Sequence, residues 1–248
     1  MPARLRPGGH ARRLAAAGGT LAAVLCLAAC GSGSSDVVVA HVGANAITKG
    51  ALDRWTAIEG VLSYEPNPTR PVPKGVVPDP PSYSSCVSYL KATPATLIAA
   101  AQKPTVAQLK AQCRQKYETL QRHMLDILIT NDWLDGEGAR RGLTVDEAEI
   151  QRSLDSQFPT QAAFRRFLAI TGERAPDERA LLHANLMATK LQQQVVAQQG
   201  AGGLARQRAL AGFFREFTQR WTARTSCRAG YVVQECPQFA GPKAPGGL

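Results

Sequence analysis

Few residues in this 248-residue chain are able to do covalent or metal chemistry: six cysteines and four histidines. Cys86, Cys113, Cys227 and Cys236 lie in the body of the sequence without a C-x-x-C spacing. They therefore offer neither a dithiol redox pair nor a zinc knuckle. Four cysteines allow three pairings, and proximity in sequence favours Cys86–Cys113 and Cys227–Cys236. Each bridge would add roughly 3 kcal/mol by restricting the unfolded chain. His41, His123 and His183 stand alone, which fits satisfied or exposed side chains better than a general base. H-E-x-x-H, G-x-S-x-G and a glycine-rich loop ending in Lys-Ser/Thr do not occur. Asp146, Glu147 and Glu149 form a carboxylate group, but their place before an apolar run makes them helix-capping residues rather than an acid–base pair. No metal or other cofactor is implied, no catalytic residue is assigned, and the chemistry left is binding.

The N-terminus reads as a targeting segment. Arg4, Arg6, Arg12 and Arg13 precede an Ala/Leu-rich stretch, Leu14 to Ala29, which is short for a bilayer span and has the length of a signal-peptide core. It closes on Leu27-Ala28-Ala29-Cys30, which resembles the lipobox of bacterial lipoproteins. Residues 1–29 then form a lipoprotein signal peptide that carries away His10 and Cys26, and 30–36 a lipidated Cys30 with a flexible Gly/Ser tether. The resemblance implies a lipid-anchored, extracytoplasmic protein on the outer face of the bacterial cytoplasmic membrane, held by two or more acyl chains. Loss of four arginines lowers the formal net charge from +10 to +6. That balance suits an anionic surface or an acidic partner; the scatter of basic residues is not a nucleic-acid footprint. An exported chain meets oxidising surroundings, where the four remaining cysteines pair.

The elements that must position these residues are mostly helical. Val37–Val42 reads as a strand, followed by a turn at Gly43-Ala44-Asn45 and a short Ala46-Ile47 extension. Thr48 caps a helix to about Gly60. Residues 66–104 hold nine of the sixteen prolines, so 61–104 is expected to be an extended proline-rich arm inserted in the domain, without regular structure. The longest helix spans about Thr105 to Arg141, with Val106, Leu109, Cys113, Tyr117, Leu120, Met124 and Ile127 on one stripe and Gly142 as its stop. A Thr144–Glu147 capping box opens the next helix to about Gln157; others follow over 160–171, 176–199 and 204–225. The segment 227–236 reads as a disulfide-stapled loop or hairpin, and 237–248 as a disordered tail. The fold class is mostly α, with a small β element at each end.

Val38 to Asp53, with its strand, turn, Ile47-Thr48 and amphipathic helix, resembles the opening of SurA- and PrsA-type extracytoplasmic foldases. The likeness continues through Trp133-Leu134-Asp135-Gly136-Glu137-Gly138, Thr144 to Ile150, Phe164 to Leu168, and the Phe217 to Thr225 ending followed by Cys227. It covers most of 37–236 and implies a SurA N-terminal-like helical chaperone domain. Full members insert a parvulin-type prolyl isomerase domain before the last helix. Here that interval, Gln198 to Arg208, has eleven residues, too few for a packed core.

The resemblance implies a foldase or holdase that binds unfolded, newly exported polypeptides without ATP. Apolar side chains left partly open would hold such clients, and the candidates are Trp55, Tyr64, Trp133, Phe158, Phe164, Phe167 and Phe214. The arm, with Tyr64, Tyr83 and Tyr89, is read as a mobile flap over them. Two alternatives are a peptidyl-prolyl isomerase of the same family and an envelope adaptor for one dedicated partner.

Overall fold

In the computed structural model, which describes residues 37–93, 104–198 and 202–241, the Val-rich run forms strand β1 (Val38–Val42) and returns as β2 (Asn45–Thr48). Gly43 makes the turn at φ +58°, a conformation that costs glycine little. Val39, Ala40 and Val42 are buried while His41 faces out. Residues 1–36, where the sequence leads one to expect a signal peptide, a lipidated Cys30 and a tether, lie outside the described residues.

Strand β3 (Thr225–Cys227) pairs antiparallel with the free side of β1, giving the order β2-β1-β3. One sheet therefore joins both ends of the domain, where the sequence reading placed separate β elements. The last helix correspondingly stops at Thr222 rather than Thr225. Thr225 is β-branched, which suits a strand. Its hydroxyl is also fixed there, donating to the Trp221 carbonyl at 2.8 Å and accepting from Trp133 Nε1 at 2.8 Å.

Helix α1 (Lys49–Leu62) starts at Thr48, whose hydroxyl accepts from Ala51 N. It buries Leu52, Trp55, Ile58 and Val61. Asp53 accepts from Tyr117 Oη at 2.9 Å and Gln121 Nε2 at 3.3 Å, tying α1 to the long helix.

The arm departs most from expectation. It contains a helix, α2 (Ser84–Ala92). Prolines crowd 66–81 and return only at Pro94, so the intervening residues keep every amide donor. Asp79 stands in for the missing cap by accepting from Ser85 N at 3.0 Å and Cys86 N at 3.1 Å. Burial alone would raise its pKa, but those donors hold it at about 2. Tyr83, Cys86 and Val87 are buried against Leu109 and Cys113, and the Cys86–Cys113 disulfide closes the contact. The described arm is thus a clamped part of the fold, not a flap.

Helix α3 (Val106–Arg140) opens with a Thr105–Gln108 capping box and ends in a Schellman motif. There Leu143 N donates to Gly138 O, Gly142 N donates to Ala139 O, and Gly142 sits at φ +68°. Leu109, Cys113, Leu120 and Met124 of the expected stripe are buried; Val106, in the overhanging first turn, is 55% exposed. Near its end α3 is approached closely by two later helices, α6 (Ala175–Ala197) and α7 (Gly203–Thr222). A Cβ on Gly136 would lie 1.9 Å from the Trp221 ring, and one on Gly138 2.3 Å from Met187 Sδ.

Between these glycines, Glu137 is fully buried. It accepts from Arg140, Arg141, Arg220 and Trp221 Nε1 at 2.7–3.1 Å. Burial would raise its pKa, yet these donors hold it at about 2. Around this point Ile129, Trp133, Met187, Leu191, Phe213, Phe217 and Trp221 form the main core with the sheet and α1.

Helix α4 (Glu147–Gln157) is capped by Asp146 with Glu149, two residues beyond the expected Thr144–Glu147 box. Helix α5 (Gln161–Thr171) begins at Thr160 and stops at Gly172, φ +79°. The tail loop is closed by Cys227–Cys236. Where fraying is expected beyond Pro237, Gln238 Nε2 donates to Cys227 O and Phe239 N to Cys236 O; 242–248 lie outside the described residues. Among the described residues, no helix is long and apolar enough to cross a membrane.

Candidate binding surface

The aromatic candidates separate by burial. Trp55 is 7% and Trp133 3% exposed, both in the main core. Trp133 also packs edge-on to Phe217 at 5.8 Å. Their burial corrects the expectation that they face a client. Phe214 is half-buried at the rim of the same core, its ring tilted against that of Phe213 at 5.3 Å. Tyr64 is 48% exposed but stands apart on the arm.

Phe158, Phe164 and Phe167 do come together. Phe158 ends α4, and Pro159 and Thr160 turn the chain into α5. On α5, residues 164 and 167 fall one turn apart on one face. Their ring centroids lie 5.0 and 5.1 Å from Phe158, within the range of favourable aromatic pairs. All three rings are half-buried. Phe158 and Phe164 roof a small cluster of Ile150, Leu154 and Leu182.

Beside the rings is an open cleft of about 230 Å³. Leu154, Phe158 and Phe164 form its apolar side, and Gln151, Asp155 and Arg179 its polar rim. The α4 side is tied to α6. Lys190 of α6 donates to Glu149 and to the Thr144 carbonyl at 2.6 Å each, and Arg179 reaches Glu147 and Gln151. Chemically the surface can hold an apolar side chain on its rings while backbone amides of the bound chain meet the rim.

Where α5 passes into α6 lie polar groups that the sequence reading missed. Glu173 and Glu178, at the α5–α6 turn, are each 6% exposed. No protein donor among the described residues reaches either Glu173 oxygen. As two carboxylates the pair would have acceptors only; one proton supplies the donor. Burial first, then the hydrogen bond to Glu178, push Glu173 up to about 8. Asp177 next to it is paired with Arg174 at 2.9 Å and with Arg54 of α1 at 3.0 Å. A second such pair joins Asp126 of α3 to Glu235 of the tail loop, and burial followed by Glu235 pushes Asp126 up to about 8. Local sequence gave no signal for either pair, because each is made by folding.

The histidines stay apart: His41 and His123 are exposed, and His183 Nδ1 lies 3.1 Å from Asp135. Among the described residues, no group of three or more His, Cys, Asp or Glu side chains is arranged to hold a metal ion. No family model matches the chain, nor does any curated protein or solved structure.

Proposed function

We propose that this protein is a lipid-anchored extracytoplasmic chaperone of the SurA/PrsA type, lacking the parvulin domain, that holds unfolded exported polypeptides without ATP. The observation that carries the reading is the Phe158–Phe164–Phe167 group, half-buried beside an open cleft. Three aromatic rings that share a surface instead of completing a core offer apolar area to a passing chain. The Leu27-Ala28-Ala29-Cys30 sequence supports export and anchoring. The order of elements from strand and turn through long helix to returning helix supports the SurA N-terminal-like assignment. Release follows from weak, fast binding and needs no nucleotide.

The chain from residue 31 onward, oxidised, is mixed with a chemically unfolded client while light scattering is followed. Suppression of aggregation near equimolar ratio supports a holdase; unaltered aggregation in the presence of folded protein removes the reading. The clamped arm favours a second reading, an envelope adaptor, because it presents a formed surface to one partner. In-cell cross-linking to one stoichiometric protein, rather than many clients, would establish that alternative.

A further inference from the structure

The clamp between the arm and α3 leaves a groove. Ala107 and Ala111, one turn apart on α3, keep its floor low, and Lys110 and Arg114, also one turn apart, stand along its edge. Pro80, Pro81 and Tyr83 form the opposite wall, and the cleft measures about 480 Å³, a volume typical of ligand sites. Its shape is built in, because the buried Cys86–Cys113 bridge fixes wall to helix.

The charge of the groove is not neutralised from within. Among the described residues, neither Lys110 nor Arg114 has a carboxylate within ion-pair distance. Asp79, beside the wall, turns its oxygens to Ser84 Oγ, Ser85 N and Cys86 N. Burial first, then Glu118, one turn beyond Arg114, raise the pKa of the Tyr83 hydroxyl, and Arg114 opposes them.

We propose that this groove binds an extended acidic peptide segment, with carboxylates on Lys110 and Arg114 and an intervening apolar side chain against Pro80, Pro81 and Tyr83. The spacing fits. Side chains one helical turn apart are about 5–6 Å from each other at Cβ, and alternate residues of an extended strand are about 6.6 Å apart. Prolyl and tyrosyl rings give a rigid apolar wall of the kind that protein recognition uses. The site uses none of the α4–α5 residues and stands whether or not the chaperone reading does.

The test uses the full chain in detergent and two fluorescein-labelled peptides, Gly-Glu-Phe-Glu-Leu-Glu-Gly and its counterpart with lysine for each glutamate. Anisotropy should show the acidic peptide bound about tenfold or more tightly than the basic one, and weakening with salt. Lys110→Glu/Arg114→Glu, at two exposed positions, should remove that preference. Ala107→Trp should block binding without changing charge, with circular dichroism confirming the fold of each variant. Equal binding of both peptides, or acidic-peptide binding untouched by both variants, overturns the proposal. So does binding of phosphatidylglycerol vesicles through Lys110 and Arg114 with no binding of the acidic peptide, which would assign the groove to a membrane surface.

Discussion

Replacing Glu173 with glutamine should stabilise the protein at alkaline pH and change it little in acid. In the unfolded chain Glu173 loses its proton near its ordinary value of 4.5, whereas in the folded protein it keeps it to about 8. Across that window the unfolded state binds fewer protons than the folded state, so stability falls as pH rises. Each pH unit costs about 1.4 kcal/mol, which bounds the loss at about 4–5 kcal/mol. A glutamine carries a permanent donor toward Glu178 and does not titrate. The expected gain at pH 8 is on the order of 2 kcal/mol, or roughly 4–8 °C in Tm for a domain of this size. Glu137 and Asp79, whose pKa values are lowered to about 2, contribute stability present above their ordinary range and lost only toward low pH. They therefore leave the window flat. Asp126, up to about 8, and Asp132, which burial raises to about 6, slope in the same direction as Glu173, so the variant should flatten the profile in part. Urea unfolding followed by tryptophan fluorescence from pH 5 to 8 measures this. A wild-type profile that is level or rising, or a Glu173→Gln profile with unaltered slope, would mean that Glu173 does not hold its proton in the folded state.

Other perturbations follow from the same contacts. Glu137→Ala leaves three arginines and the Trp221 indole without their acceptor and should cost about 3–5 kcal/mol, read as a lowered urea midpoint. Gly136→Ala drives a methyl into the Trp221 ring and should cost about 1–3 kcal/mol. Gly138→Ala meets the flexible Met187 side chain and should cost less in the same assay. Replacing both Cys227 and Cys236 with serine opens a short loop and should lower stability by about 2–3 kcal/mol; replacing Cys86 and Cys113 should cost somewhat more, because the longer separation closes a larger loop. Thermal unfolding with and without reductant orders the two bridges.

The elements legible in the sequence were those whose signals are local. Thr48, Thr105 and Thr160 cap helices, and Gly142 and Gly172 end them, because capping depends on a few neighbouring residues. The neighbouring pairs Cys86–Cys113 and Cys227–Cys236 are the bridges present. What escaped depends on contacts outside the usual local patterns. Helix α2 hid among prolines because its cap, Asp79, lies outside the usual cap position. Trp55 and Trp133 read as client contacts because sequence alone does not say which aromatic residues the sheet and α7 will cover. Thr225 reads as the end of the last helix and Cys227 as loop or hairpin, because only pairing with β1 makes Thr225–Cys227 a strand. Of the candidate surface, Phe158, Phe164 and Phe167 stand among the seven aromatic candidates of the sequence, but no local signal sets them apart from Trp55 and Trp133; their packing together does. The buried Glu173–Glu178 and Asp126–Glu235 carboxyl pairs have no such signal.

Site-specific photo-cross-linking tests most directly the claim that unfolded chains bind on the α4–α5 rings. A benzophenone amino acid replaces Phe167, or, as a control, the exposed Gln193 of α6, and each variant is irradiated with an unfolded client. Client adducts are expected at position 167 and not at 193. Aggregation suppressed by both variants, with no adduct at 167 or equal adducts at both positions, would contradict the claim.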